Sequence, residues 1–342
     1  MLSRNINKKY NSISNDLAKM SDEEIQNILM DSKNIRYGIG GSSQKIKFKN
    51  DLVFVKKIPV SNFELSYIDS MSTANIFNLP MYYHYGVGSL GFSVWRELET
   101  HLLTTKWVLN GDCMNFPVLY HWRLIPDDKP KIDFSYWKDL DDYLNYWGNN
   151  HEINNRANLL INAKHSLIIF LEFFPKNLSN AMIENKNLNE EDTLIFLETV
   201  NNDIEKTLKF LSSKSFVHFD VHFENIVTDD KNFYISDFGL ALTDSFELSK
   251  VEKNFLNDHK NFDYGSYYYF FVNKILNNYI TSSDWDGKVL EYNISIFKKH
   301  LPKKISAFIE NYYYVACEIQ KFYINIMKDK TTLYDGSMDK LL

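Results

Sequence analysis

Hydrophobic and polar positions along this chain change period several times, and each change marks an element. Residues 1–33 are polar apart from SDEEIQNILMDS, whose apolar spacing fits one helical face and whose Ser21 and Glu24 have capping-box spacing. A helical N-terminal extension laid on a sheet is expected there. From Asn34 the pattern alternates, and NIRYGIGGSSQKIKF and DLVFVKKIPV read as strands. FSVWRELETHLLTTKWVL returns to helical spacing, while FPVLYHWRLIP and SLIIFLEFFP are strand-like. DTLIFLETVNNDIEKTLKFLSSKS predicts a long buried helix, and the chain from Asp263 to about Met327 reads as helical and amphipathic before a polar tail. Two stretches keep neither period. Residues 61–91 carry Gly, Pro and aromatics and predict an ordered loop, and residues 127–165 begin acidic and aromatic and end in a helix through Ala163.

Composition narrows the class. A chain of 342 residues, 44% hydrophobic and 24% charged, can bury the core of one large domain or two lobes. Its net charge of -6 offers no electrostatic case for nucleic acid as a partner. MLSRNINKKYNS lacks the apolar core of a signal peptide, and runs such as Leu167 to Leu171 are too short to span a bilayer. Cys113 and Cys317 form neither a disulfide framework nor a metal knuckle. A soluble, cytoplasmic protein in a reducing compartment, with no integral membrane segment, is expected.

The chemistry concentrates in VHFDVHFENIVTDDKNFYISDFGLA, residues 217–241. His218, Asp220, His222 and Asn225 fall on a tight loop, two short strand-like runs follow, and Asp237-Phe238-Gly239 closes the stretch. Phosphoryl transfer needs a base for the acceptor hydroxyl, and amide and carboxylate oxygens to hold Mg2+ against a triphosphate. Asp220, Asn225 and Asp237 supply those groups. A zinc site on His218 and His222 would want a helix and a Glu after the first His, and the sequence has neither. Upstream, Gly38, Gly40 and Gly41 permit a tight turn whose amides can approach phosphate oxygens, and Ser42 and Ser43 add hydroxyl donors.

The run H-x-D-x-H-x-x-N followed by D-F-G resembles the catalytic and metal-binding loops of the protein-kinase-like superfamily, including its bacterial-type atypical Ser/Thr kinases and aminoglycoside phosphotransferase-like members. That resemblance implies a bilobal α+β fold. An N-lobe with a small antiparallel sheet would span 34–174, with insertions at 61–91 and 127–165, and a larger helical C-lobe would span 175–342. ATP and Mg2+ are the implied cofactors. Gly38, Gly40, Gly41, Ser42 and Ser43 would cover the phosphates, and Lys56, in a Val53-Phe54-Val55-Lys56 run similar to V-A-I-K, would steady them. Lys57 points to the opposite face and reads as solvated. For the carboxylate that holds Lys56, Glu99 is chosen because Leu102 and Leu103 follow it at helical spacing, with Glu97 as the fallback. The backbone of Glu172 and Phe174 would meet the adenine edge, Leu171 would guard the back pocket and Val227 would form part of the floor. Asn225 and Asp237 would bind the metal. Asp263 would either anchor the catalytic loop or cap a helix.

The implied activity is transfer of the γ-phosphate to a hydroxyl, with Asp220, Lys56 and Glu99 as catalytic residues. The intact Asp-Phe-Gly favours protein Ser or Thr as acceptor. His222 in the place of the usual Lys, Ser43 in the place of a third Gly and the missing Ala-Pro-Glu favour a small-molecule acceptor of the aminoglycoside or choline type. A pseudokinase scaffold that binds nucleotide without transferring phosphate is the third reading, and the complete catalytic set argues against it. Thr243 and Ser245 follow the Asp-Phe-Gly without a recognisable phosphorylation switch.

Overall fold

The computed structural model describes residues 6–30, 35–127, 132–280 and 298–341. Asn34, part of the 127–165 stretch, and residues 281–297 of the helical C-terminal region lie outside the described residues. Two compact units divide the chain: Met1–Phe174 with Phe238–Leu240 and Phe246–Ser249, and Pro175–Asp237 with Ala241–Ser245 and Lys250–Leu342.

In the first unit the N-terminal extension forms two helices, α1 (Ile6–Ala18) and α2 (Asp22–Met30), where the pattern predicted one. The break falls where Ser21 starts a new helix. Its backbone N–H donates to Glu24 Oε2 at 2.7 Å, and its hydroxyl accepts from the Glu24 N–H at 3.2 Å. Along α1, Ile6, Ile13 and Leu17 repeat on one buried face. Ion pairs Lys9–Asp51 and Arg123–Asp22 tie the extension to the sheet.

That sheet has five antiparallel strands in the order β1-β2-β3-β5-β4: β1 (Ile35–Gly38), β2 (Gly41–Phe48), β3 (Asp51–Val60), β4 (Leu119–Pro126) and β5 (His165–Glu172). β5 lies between β3 and β4, and its Ser166 to Leu171 run is buried throughout, which explains why it shows no alternation in sequence. Between strands come α3 (Asn62–Leu65) and α4 (Val94–Asn110). The Ser93 hydroxyl caps α4 by accepting from the Trp95 N–H, and Gly111, at φ +79°, closes it.

The two aperiodic stretches pack on each other. Phe77, Leu79, Tyr83, Leu90 and Phe92 meet Tyr143 of α5 (Leu140–Tyr146), Trp147 just beyond it, and Ile153 and Ala157 of α6 (His151–Ile161). Tyr83 and Trp147 rings meet edge-on at 4.8 Å, and the Tyr83 and Tyr143 hydroxyls share a hydrogen bond at 2.5 Å. Their core is jointly built, so neither stretch carries a period of its own.

The second unit is mainly helical. β6 (Lys176–Asn177) and α7 (Leu178–Glu184) lead to α8 (Glu190–Ser213), which buries Leu197, Val200, Ile204, Leu208 and Leu211. The short strands β7 (Phe216–Val217), β8 (Ile226–Thr228), β9 (Phe233–Ile235) and β10 (Leu242–Thr243) frame the loop of interest. α9 (Lys250–Asp258), α10 (Phe262–Tyr279) and a last long helix, α11 (Lys303–Lys328), complete it. α10 and α11 approach closely at Gly265, where an added Cβ would lie 3.1 Å from Ile319 and 2.1 Å from Met338. A unit built on an antiparallel sheet and a unit built on helices make the mixed α+β arrangement that the sequence resemblance implied. Among the described residues no helix is long and apolar enough to cross a membrane, and both cysteines are buried free thiols.

Candidate active site

The glycine-rich stretch is a two-residue hairpin turn: Gly38 pairs with Gly41, leaving Ile39 and Gly40 at the tip. Gly41 stands at φ +117°, and a Cβ there would lie 2.3 Å from the Lys57 carbonyl, so this position takes glycine alone. A Cβ on Gly40 would come within 3.9 Å of Lys56 Nζ, which places the turn over the lysine ammonium. Ser42 and Ser43 sit on β2 rather than in the turn, and Ser43 lies opposite Lys56 in the β2–β3 register.

Lys56 Nζ pairs with Glu97 Oε1 at 2.7 Å, with only 14% and 8% of the two side chains exposed. The partner is therefore Glu97, and the choice of Glu99 is corrected. The inward face of α4 runs through Glu97, His101, Thr104 and Val108. Two residues further on, Glu99 is turned about 200° around the axis. It is half-buried, and burial raises its carboxyl pKa. Leu102, on which its assignment rested, is 39% exposed. The signal was present in the sequence as the 97, 101, 104, 108 spacing, which the leucines masked. Lys57 is not simply solvated: its ammonium pairs with Asp127 at 2.7 Å. Beyond Glu97, the His101 ring stands edge-on to Phe238 at 5.0 Å.

In the second unit, β7 delivers the chain into the loop 218–225. Asp263, in the first turn of α10, accepts the backbone N–H of His218 at 2.7 Å and of Phe219 at 2.8 Å. Burial pushes its carboxyl up to about 7, against these two donors, which hold it down. Phe219 takes φ +66°, a strained value for a bulky residue, and is kept there by these bonds and by packing on Phe255 and Phe262. His218 donates from Nε2 to the Ser236 carbonyl at 3.1 Å and accepts the Asp220 N–H at Nδ1 at 3.2 Å. Burial lowers its pKa, which suits the neutral tautomer these bonds require.

Asp220 and Asn225 meet directly. Asn225 Nδ2 donates to Asp220 Oδ2 at 2.9 Å and to its carbonyl at 3.0 Å, so Oδ1 is the atom the amide can offer a cation. Ser236 links this loop to the next by donating from its N–H and its hydroxyl to the Asn225 carbonyl, at 2.8 and 2.9 Å. Asp237 follows, exposed and at φ +64°. His222 Nε2 lies 3.5 Å from Asp220 Oδ2. Burial works to lower its pKa, but the Asp220 carboxylate, with Asp237 and Glu224, outweighs that and raises it.

Leu171 is buried at the end of β5. The Glu172 N–H donates to the Val118 carbonyl at 2.9 Å, so this N–H is not available to a ligand. Phe174 is the last residue of the first unit's main stretch. Val227 is half-buried between the fully buried Ile226 and Thr228, as alternation on a strand demands. Among the described residues no group of three or more His, Cys, Asp or Glu is placed to hold a metal ion. Mg2+ bound to a nucleotide takes one or two protein oxygens and completes its shell with phosphates and water, so a single Asn–Asp pair fits its demand.

A sheet unit carrying a buried Lys–Glu pair and a helical unit carrying this loop define a kinase-like fold. The family model for the protein tyrosine and serine/threonine kinase domain matches residues 147–256, which takes in β5, the loop 218–225 and Asp237-Phe238-Gly239. The glycine turn, Lys56 and Glu97 lie outside the match. No curated protein matches the chain. The family match supports phosphoryl transfer as the general activity.

Proposed function

We propose that this chain is an ATP- and Mg2+-dependent kinase that transfers the γ-phosphate to serine or threonine of a protein. The observation that carries this reading is the loop on which Asp220 presents its carboxylate against Asn225 while Asp263 holds the backbone. In it, Asp220 orients the acceptor hydroxyl and takes its proton late. Lys56, held by Glu97, steadies the α- and β-phosphates, and the turn at Gly38, Gly40 and Gly41, flanked by Ser42 and Ser43, brings backbone amides to them. Asn225 and Asp237 hold Mg2+, which offsets the charge on the transferred group. The Glu172 carbonyl and the Phe174 backbone serve the adenine edge, with Leu171 and Val227 as apolar walls. The division into an extension at 1–33, an N-lobe at 34–174 and a C-lobe at 175–342 belongs to the same reading.

One observation favours a second acceptor. His222 stands beside Asp220, where protein kinases usually carry Lys, and small-molecule kinases of the superfamily often have His there. The test is incubation with Mg2+, γ-labelled ATP and a cell lysate separated into protein and metabolite fractions. Label on protein supports the first reading, and label on a small molecule supports the second. ATP bound with no label in either fraction would leave a nucleotide-binding scaffold.

A further inference from the structure

The two stretches that carry no chemistry of their own, 61–91 and 127–165, meet in a buried polar junction at the start of α4. Its centre is the ion pair between Arg156 Nη1 and Glu64 Oε1 at 3.1 Å, with 4% and 0% of the side chains exposed. Every acceptor of Arg156 is defined. Nε donates to the Gly91 carbonyl at 2.6 Å and Nη2 to the Leu90 carbonyl at 3.4 Å, and the guanidinium lies over the Phe77 ring. Glu64 is equally engaged. Its Oε2 accepts from the Ser61 N–H and hydroxyl, at 3.0 and 2.8 Å. Its Oε1 accepts the Val94 N–H at 3.0 Å, and its backbone carbonyl accepts Trp95 Nε1 at 2.9 Å.

Val94 and Trp95 open α4, so Glu64 places a carboxylate at that helix N-terminus, where it is favoured by the dipole and takes up an N–H the helix leaves unpaired. Glu97 lies three residues on, about 4.5 Å of helical rise beyond Val94. A buried ion pair adds little net stability against its desolvation, and in some proteins what it contributes instead is a defined geometry. Here the pair sits against the first turn of α4, the helix that carries Glu97.

The same junction reaches the segment after Asp237. Gly91, whose carbonyl Arg156 holds, packs against Gly239 so closely that a Cβ on Gly91 would lie 2.7 Å from the Gly239 carbonyl. His84 Nδ1 donates to the Leu240 carbonyl at 2.8 Å. Arg96, buried on α4, donates to the Thr73 carbonyl and lies over Phe246, and Ser72 and Thr73 hydrogen-bond to Glu247.

We infer that Arg156 and Glu64 are positioning residues for phosphoryl transfer: the two stretches act as a permanent clamp that sets α4 and the segments 238–240 and 246–249, without a phosphate on the loop. This rests on the kinase reading above. The clamp acts through Glu97 and Lys56.

The test compares wild type with Arg156→Lys, Arg156→Met and the charge-free pair Arg156→Met with Glu64→Gln. The readouts are ADP release from MgATP with casein as acceptor, melting temperature, and hydrogen exchange of residues 94–104. Phosphatase treatment should leave the wild-type rate within twofold. Arg156→Met should lower kcat at least tenfold and speed α4 exchange at least tenfold, with KM for casein within twofold. Arg156→Lys keeps the cation beside Glu64 and should fall between the two. The double variant buries no orphan charge, so its melting temperature should recover while kcat stays low. A double variant that is folded with wild-type kcat and wild-type α4 exchange would overturn the clamp, as would loss of wild-type activity on dephosphorylation. Absence of wild-type transfer to casein and to both lysate fractions would overturn the kinase reading instead, and unchanged α4 exchange in Arg156→Met would overturn the clamp independently.

Discussion

The lysine pair and the loop 218–225 differ in how far apart in sequence their partners stand. Lys56 and Glu97 are 41 residues apart, on a strand and a helix, and meet only because α4 is held at one rotation. Asp220 and Asn225 are five residues apart on one loop, and local turns bring them together: the His222 N–H donates to the Asp220 carbonyl and the Asn225 N–H to the His222 carbonyl. A local constellation is encoded by its spacing. A distant pair is encoded by whatever orients the two elements, which here includes Glu64 and Arg156.

The largest effect expected outside the reacting groups is at Asp263, a distant residue that holds the backbone of the local loop. Asp263→Ala leaves two buried backbone N–H groups unpaired under a strained Phe219, and should lower stability by about 2–4 kcal/mol. Urea unfolding measures it, and a loss below about 0.5 kcal/mol would show that the loop holds itself without α10. The lysine pair comes next. Glu97→Gln should reduce the rate about tenfold to a hundredfold, equivalent to about 1.4–2.8 kcal/mol of barrier, and Glu99→Gln should stay within about twofold. Equal effects would break the assignment of Glu97.

The smallest effect is electrostatic and belongs to the loop. The pKa of His222 is raised, so the stability it draws from Asp220 is fully present below its ordinary value of 6.5 and is lost as pH rises through the higher folded value. His222→Gln should therefore cost about 0.5–1 kcal/mol at pH 5.5 and close to none at pH 9. A cost that does not change with pH would mean that His222 contributes by packing on Phe270 rather than by charge.

The same contrast explains what was legible in the sequence. The five strands of the main sheet, α4, α8 and the loop 218–225 were readable because each has a period, an unbroken apolar run or a spacing of its own, whereas the two-residue strands β6, β7 and β10 are too short to show any. Glu97 stayed the fallback because two leucines after Glu99 imitated an inward face and outweighed the 97, 101, 104, 108 spacing that marks the buried one. The break between α1 and α2 was signalled by Ser21 and Glu24, but the apolar positions before it were too sparse to declare a helix. The stretches 61–91 and 127–165 stayed opaque because their core exists only once Tyr83 meets Tyr143 and Trp147. Arg156 and Glu64, 92 residues apart, would each pass as a surface charge until the fold buries them together.

The most direct measurement of the central claim is transfer from γ-labelled ATP in Mg2+ by wild type and by Asp220→Ala, with ATP affinity measured in parallel. The account predicts label transfer by the wild type, a loss of about a thousandfold or more in the variant, and ATP affinity within a few-fold in both. Equal transfer by the two proteins would contradict it.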